Sequence, residues 1–211
     1  MVFIRLYSVH LCSSVAKNRS EMTFSVFNAS SADFSDVLAL QEENHLSNLA
    51  EDARGDGFLT TYLTLQRLEE LSAANGLVIA RSPSGELAGF AGAHEWDLTG
   101  AHEWSRAVLT LFPLELRFEQ DEAGLDAHNS FQYGPACVAG RFRGQGVLKL
   151  LLEATKANFA ARFDFGLTFI DYRNARSLAA HERKLGLQII AQLPFDDTVY
   201  RVLGFSTRPS L

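Results

Sequence analysis

Residues 140–156 read GRFRGQGVLKLLLEATK. Glycines and arginines stand directly before a leucine-rich run with helical spacing. Glycine disfavours a helix interior, and arginine at a helix start meets a dipole that is already positive. An anion would reconcile them. The first N–H groups of a helix have no internal partner, and glycines let a ligand approach the backbone. Arg143 and Lys149 add full charges. The stretch fits a phosphate-bearing ligand; alone, it also fits a tight turn before a capped helix. The P-loop pattern G-x-x-x-x-G-K-[ST] is absent. A dinucleotide fingerprint begun at Gly144 would find Lys149 at its third glycine.

The charge around this stretch differs from that of the chain. Net charge is −6 over 211 residues, which argues against a general nucleic-acid binder. Residues 139–190 nevertheless hold nine basic side chains against four acidic ones, a local +5. A basic zone in an acidic protein suits a small anion, and a solvated helix face would give the same count. The length suits one domain, and no apolar run reaches the roughly 18–20 residues of a membrane span. Cys12 and Cys137 are too few for a disulfide framework or a four-cysteine zinc site. The compartment is read as reducing and cytoplasmic. In residues 1–21, Arg5 interrupts the apolar part and no basic segment precedes it, so a signal peptide is a poor reading. These residues are expected to lie outside a single folded domain, 22–211.

Periodicity outlines the rest. Thr23–Asn28 alternates as a strand; helices follow from Asp33 or Ser35, and over TLQRLEELSAANG, ended by Asn75-Gly76. LVIARS and ELAGFAGAHEW flank a PSG turn as a hairpin. Residues 97–129 are irregular and acidic, with a helix over HEWSRAVLTLF stopped by Pro113. SFQYGPACV is a strand, followed by a helix from about Gly144 to Arg162. FGLTFIDY is a strand, ARSLAAHERKLG a helix, and LQIIAQLPF with TVYRVLGF a final strand pair. The order β-α-α-β-β-(insert)-β-α-β-α-β-β predicts a mixed α/β fold, three-layered, with a mostly antiparallel central sheet and helices on both faces.

Two segments resemble one family. ACVAGRFRGQGVLKLLL is similar to the acetyl-CoA motif [QR]-x-x-G-x-[GA] of the GNAT superfamily of N-acetyltransferases. The best register takes Arg143, Gly144, Gln145, Gly146, Val147 and Leu148, with Val138 at the strand end; Leu148 stands where Gly or Ala is usual. A second register, from Arg141 through Gly144 to Gly146, keeps the glycines but not the spacing to the strand. NARSLAAHERKLGL resembles the later motif N-x-x-S/A-x-x-x-Y/H-x-K-x-G-F/L with one extra residue. Counted from Asn174 and Ser177 its aromatic position is His181; counted back from Gly186 it is Glu182. The first count is preferred. The resemblance covers residues 131–205 well.

The resemblance implies a GNAT-like fold with two splayed central strands, SFQYGPACV and FGLTFIDY. It implies acetyl-CoA as co-substrate, held by the 143–148 backbone, by Ala136, Cys137 and Val138 along the strand, and by Asn174 and Ser177. Gly134-Pro135 supports a break independently, because proline lacks an N–H and is disfavoured in a central strand unless it is bulged or unpaired; an edge kink is the plainer reading. The implied reaction is direct acetyl transfer to a primary amine, of a small molecule or peptide. His181 is expected to protonate the departing thiolate. For the base, Asp171 and Tyr133 are the leading candidates, with Tyr172, Gln132 and Glu95 beside them. Cys137 reads as a buried thiol rather than a nucleophile. His94, Glu95, His102 and Glu103 match no usual metal spacing, and no metal is expected. Eight acids in residues 95–126 against two arginines suggest a cationic acceptor. A monomer or homodimer without nucleic-acid or membrane partners is expected. The rival reading is a non-enzymatic CoA- or nucleotide-binding module with the same fold.

Overall fold

The computed structural model describes residues 23–112 and 124–208. The expectations for residues 1–21, for Pro113 and for four acids of the insert (Glu115, Glu119, Asp121, Glu122) lie outside the described residues. The elements run β1 (Ser25–Asn28), α1 (Phe34–Asn44), α2 (Leu65–Ala73), β2 (Leu77–Arg81), β3 (Leu87–His94), α3 (Glu103–Leu109), β4 (Ser130–Val138), α4 (Val147–Phe159), β5 (Phe165–Asp171), α5 (Ala175–Ala179), β6 (Gln188–Phe195) and β7 (Thr198–Ser206). Element order matches the reading of the sequence. Among the described residues, no helix is long and apolar enough to cross a membrane.

The seven strands form one sheet in the order β1-β2-β3-β4-β5-β7-β6. Only β4 and β5 pair in parallel; the other neighbours are antiparallel. Helices cover both faces. A side chain built on Gly89 of β3 would point at Leu151 of α4, and one on Gly92 at Leu71 of α2. Residues an odd number apart on a strand face opposite ways, so α4 and α2 lie on opposite faces. The strands between them are apolar on both sides: Leu77, Val78, Ile79 and Ala80 are all fully buried. A smaller apolar cluster, with Val108, Leu193 and Val202 at its centre, packs α3 against β6 and β7.

Several boundaries differ from expectation for local reasons. α4 begins at Val147 rather than Gly144, because Gly144 (φ +79°) and Gly146 (φ +86°) both take left-handed conformations that end any helix before them. Asp33 stands at the N-cap of α1, but its side chain makes no capping bond to that helix. Its carboxylate accepts from the Ser30 N–H at 2.9 Å and pairs with Arg81 at 2.7 Å, in β2. α2 is capped as its sequence predicts: Thr64 Oγ1 accepts from the Arg67 N–H, and Asn75 is left-handed (φ 56°) at the other end.

The helix expected over Ala175–Gly186 is not uniform. After α5 the chain widens into a π-helical turn over Ala180–Lys184. A π turn takes up one residue more than an α turn. The extra residue that spoiled the motif count is absorbed there: Asn174 and Ser177 lie before the widened turn, His181 is its second residue, and Gly186 follows it. His181 is buried and Glu182 exposed.

Candidate functional site

The site begins where the sheet comes apart. Ser130–Gln132 pair with Phe165–Leu167, and the β4–β5 ladder stops there. Beyond it, Tyr133–Val138 have only β3 as a neighbour and Thr168–Asp171 only β7. On the β3 side the register slips: Ala91 faces Ala136 and Ala93 faces Tyr133, leaving Gly134 and Pro135 opposite Gly92. That bulge needs these residue types. Gly134 has φ +121°, a value L side chains rarely adopt, and Pro135 has no N–H to leave unpaired.

Two cavities open on this break. One, of about 660 Å³, lies between the β4–α4 turn and the α5 segment. Ala136, Cys137 and Val138 form one wall and Ser177 and His181 another. Arg143, Gly144, Gly146, Val147 and Leu148 close its end. No side chain caps α4, so the N–H groups of its first turn have no partner within the helix. The other cavity, of about 1080 Å³, extends over α2, α3 and the ends of β3, β4 and β5. Phe58, Leu59, Ala136, Ser177 and His181 line both, which makes His181 the titratable group at their junction.

Arg143 is in the cavity wall but its charge is committed. Nε donates to Val138 O at 3.1 Å, one terminal nitrogen to Asp56 O at 2.7 Å, and the other to Asn44 Oδ1 at 2.7 Å. It ties the end of β4 to the end of α1 and the turn after it. Arg141 leaves the loop and pairs with Glu86 at 3.0 Å. Three further cations, Lys149, Arg183 and Lys184, stand on the same cavity, and no ion pair is found for them among the described residues. Arg176, also there, pairs with Asp56.

Other expected contacts are redirected. Gln145 does not line the cavity: its amide folds back to donate to Arg141 O at 2.9 Å, and the residue is exposed. Asn174 lines the larger cavity, with its amide already in use. Oδ1 accepts from the Ser177 N–H, capping α5, and Nδ2 donates to Phe58 O at 2.7 Å. Asp171 also lines the larger cavity, where the Arg173 guanidinium grips both carboxylate oxygens. Burial alone would raise its pKa, but the Arg173 side chain and N–H hold it below the usual carboxylate value. That makes it a weak base. Tyr172 is exposed, and Glu95 pairs with Arg162.

The histidines are informative. His181 Nδ1 lies 2.8 Å from Ser177 O. A carbonyl only accepts, so Nδ1 carries the proton and Nε2 keeps a bare lone pair. Burial lowers the pKa, against the hydrogen bond to Ser177. The group is therefore a neutral acceptor near neutral pH, not the acid expected of it. His94, at the end of β3 in the larger cavity, repeats the pattern: Nδ1 is 2.8 Å from Glu95 O, and burial lowers its pKa. Tyr133 is fully buried and burial raises its pKa, so it stays a neutral phenol. Burial pushes the Cys137 thiol up to about 12, which makes it unreactive.

The sequence reading did not place His94, Phe58 or Leu59 in the cavity walls. His94 carried a signal only as the last residue of a hairpin strand. Phe58 and Leu59 carried none: Leu59 reaches the site because its backbone pairs with Asn44 and Leu46.

No protein-family model matches this sequence, and no curated protein does so. Solved structures match its fold. A GNAT-family acetyltransferase from Streptococcus agalactiae superposes with a TM-score of 0.59 at 16% identity, over 88% of this chain and 96% of that one. A GNAT-superfamily phosphinothricin acetyltransferase from Sinorhizobium meliloti, solved with acetyl-CoA, gives 0.59 at 17% identity, over 88% and 89%. A ribosomal-protein-alanine N-acetyltransferase from Brucella melitensis gives 0.56 at 17% identity, over 86% and 99%. With its parallel pair parted at a bulge and a helix start facing the gap, this chain has the fold of the GNAT acetyltransferases.

Proposed function

We propose that the chain transfers an acetyl group from acetyl-CoA to a primary amine. The observation that carries this is the meeting of the two cavities at the β4–β5 break, with His181 in the wall of both. The smaller cavity fits the donor. Partnerless N–H groups at the start of α4, with Lys149, Arg183 and Lys184 around them, suit a pyrophosphate. The unpaired edge of Ala136–Val138 suits an amide-bearing arm running as a short strand. Bound acetyl-CoA would supply an activated acetyl group; this chain's residues would orient it and move protons.

The larger cavity fits the acceptor. Five carboxylates line it (Glu70, Glu95, Asp97, Asp171, Asp196); Arg67, Arg162 and Arg173 pair with Glu70, Glu95 and Asp171, and Asp97 and Asp196 have no ion pair among the described residues. Trp96, Trp104, Phe169 and Tyr200 add apolar walls. This combination favours a cationic amine with an apolar body. An ammonium must lose a proton before it can attack, and His94, a neutral imidazole in the wall of this cavity, would take it.

Calorimetry with CoA and acetyl-CoA, followed by CoA release against a panel of cationic and neutral amines, tests the reading. Micromolar binding and turnover with at least one cationic amine are expected. Binding without turnover of any amine would leave a CoA-binding module, and no binding at millimolar CoA would overturn both.

A further inference from the structure

The residues shared by the two cavities, Phe58, Leu59, Ala136, Ser177 and His181, surround the point where one opens into the other. They are not equivalent. Ser177 and His181 are polar, and Ala136 offers only a methyl group. Leu59 is 7% exposed and belongs to the core. Phe58 is half-buried, and it joins none of the apolar clusters found among the described residues. Its ring is therefore the large apolar surface that the junction presents to a ligand.

The backbone that carries this ring is tied down on both sides. Asn174 Nδ2 donates to Phe58 O at 2.7 Å, from the start of α5. The Leu59 N–H donates to Asn44 O and the Leu46 N–H to Leu59 O, each at 2.9 Å. Before the ring, Arg143 donates to Asp56 O at 2.7 Å. Beyond it, the Leu63 N–H donates to Gln41 Oε1 at 2.6 Å, and Gln41 Nε2 donates to Leu63 O at 3.1 Å. The segment is thus anchored to α1, to the β4–α4 turn and to α5. The ring cannot leave the junction unless several of these bonds break.

In the acetyl-transfer reading the thioester carbonyl sits at this junction, its CoA side in the smaller cavity and its acyl side turned to the larger one. Resting on that reading, we propose that Phe58 sets the length of the acyl group: its ring fills the space that any carbon beyond acetyl would need, and so confines the donor to acetyl-CoA. Total volume is not the limit, because the larger cavity holds about 1080 Å³. The limit is a fixed ring at its entrance. Without such a stop, a longer acyl group would bind more tightly, by about fourfold for each methylene buried. A ring that cannot yield reverses the sign, because the added carbons overfill the site. Acetyl is then chosen by excluding its longer homologues.

Calorimetry with CoA, acetyl-CoA and butyryl-CoA tests this on the wild type, on Phe58→Ala and on Phe58→Leu. The wild type should bind butyryl-CoA about tenfold more weakly than acetyl-CoA. In Phe58→Ala the order should reverse, while affinity for CoA, which has no acyl group, stays nearly unchanged. Phe58→Leu should fall between, and it carries the comparison if the alanine variant does not fold. With any amine that is turned over, kcat/KM for the two thioesters should follow the same ratios. Butyryl-CoA bound by the wild type as tightly as acetyl-CoA would overturn the proposal without any variant. So would a folded variant that keeps the wild-type ratio. A variant that loses CoA as strongly as acetyl-CoA would also overturn it, because Phe58 would then be a wall of the donor cavity only. The expected binding ratios without transfer to any amine would keep the length limit and remove the transfer reading. No binding of CoA at millimolar concentration would remove both.

Discussion

The tip of the Phe205 ring lies over Gly166, at a place where a Cβ on residue 166 would stand 2.2 Å from Cζ. The glycine is the seat that lets a β7 ring reach across β5. From there Phe205 touches Phe131 and Tyr133 edge-on, at 5.9 and 5.7 Å, with Lys156 Nζ 5.5 Å above it. Gly166→Ala is expected to cost about 1–3 kcal/mol in chemical denaturation, the range for overfilled cores. Adding Phe205→Leu should recover part of that loss, because a smaller side chain vacates the contested space. No loss in the single variant would show that the ring yields freely and does not fix Tyr133.

Charge around the smaller cavity divides into structural and free. Arg143→Ala breaks three hydrogen bonds made by a cation, at about 1.5–3 kcal/mol for a buried case and less here where solvent reaches the site. Denaturation should show a loss of about 1–2 kcal/mol. Lys149→Glu and Lys184→Glu remove exposed charges and should leave stability within about 0.5 kcal/mol. They should weaken CoA binding by about tenfold, and by less as salt is raised. Calorimetry at two salt concentrations checks this. Unchanged affinity in both lysine variants would place the anion elsewhere.

Buried His181 and half-buried His94 both have their pKa values lowered from 6.5 by desolvation. The sign follows from which state binds protons. Below pH 6.5 the unfolded chain takes up protons that the folded state resists, so stability is full above 6.5 and is lost as pH falls through the lower folded values. Tm should be flat from pH 8 to 7 and decline from about 6.5 downward. Asp33 and Asp171 are held below 3.8, so their contributions are lost only at more acid pH. The variant His94→Gln, His181→Gln should show a flatter decline between pH 6.5 and 5 in thermal unfolding. An identical slope would mean that the fold does not hold the two histidines neutral.

The fold was legible because its signals are local. The PSG turn between β2 and β3, the Asn75-Gly76 stop and the glycine pair before α4 each report a conformation that the residue itself prefers. The parting of β4 from β5 was legible for the same reason, through Gly134-Pro135. Partners across the fold were not. Arg143 reads as a ligand for phosphate, and only the distant positions of Asn44 and Asp56 show where its donors go. The protonation of His181 depends on a carbonyl four residues away along a helix, and the weakness of Asp171 as a base on how Arg173 curls back. Such facts are properties of geometry, and residue type does not carry them.

The widened turn at Ala180–Lys184 also bears on length variation. A helix holding one residue beyond the α repeat can give it up without shortening the chain's reach by a full turn. Loss of Leu185 or Lys184, after the histidine, would tighten the turn and leave His181 where it is. Loss of Ala179 or Ala180 would rotate His181 by about 100° relative to Asn174 and swing the imidazole off the junction, while Gly186 and the strand after it kept their places. The same one-residue gap is therefore silent on one side of His181 and disabling on the other, and an alignment that slides it freely along the helix would pair the wrong side chains.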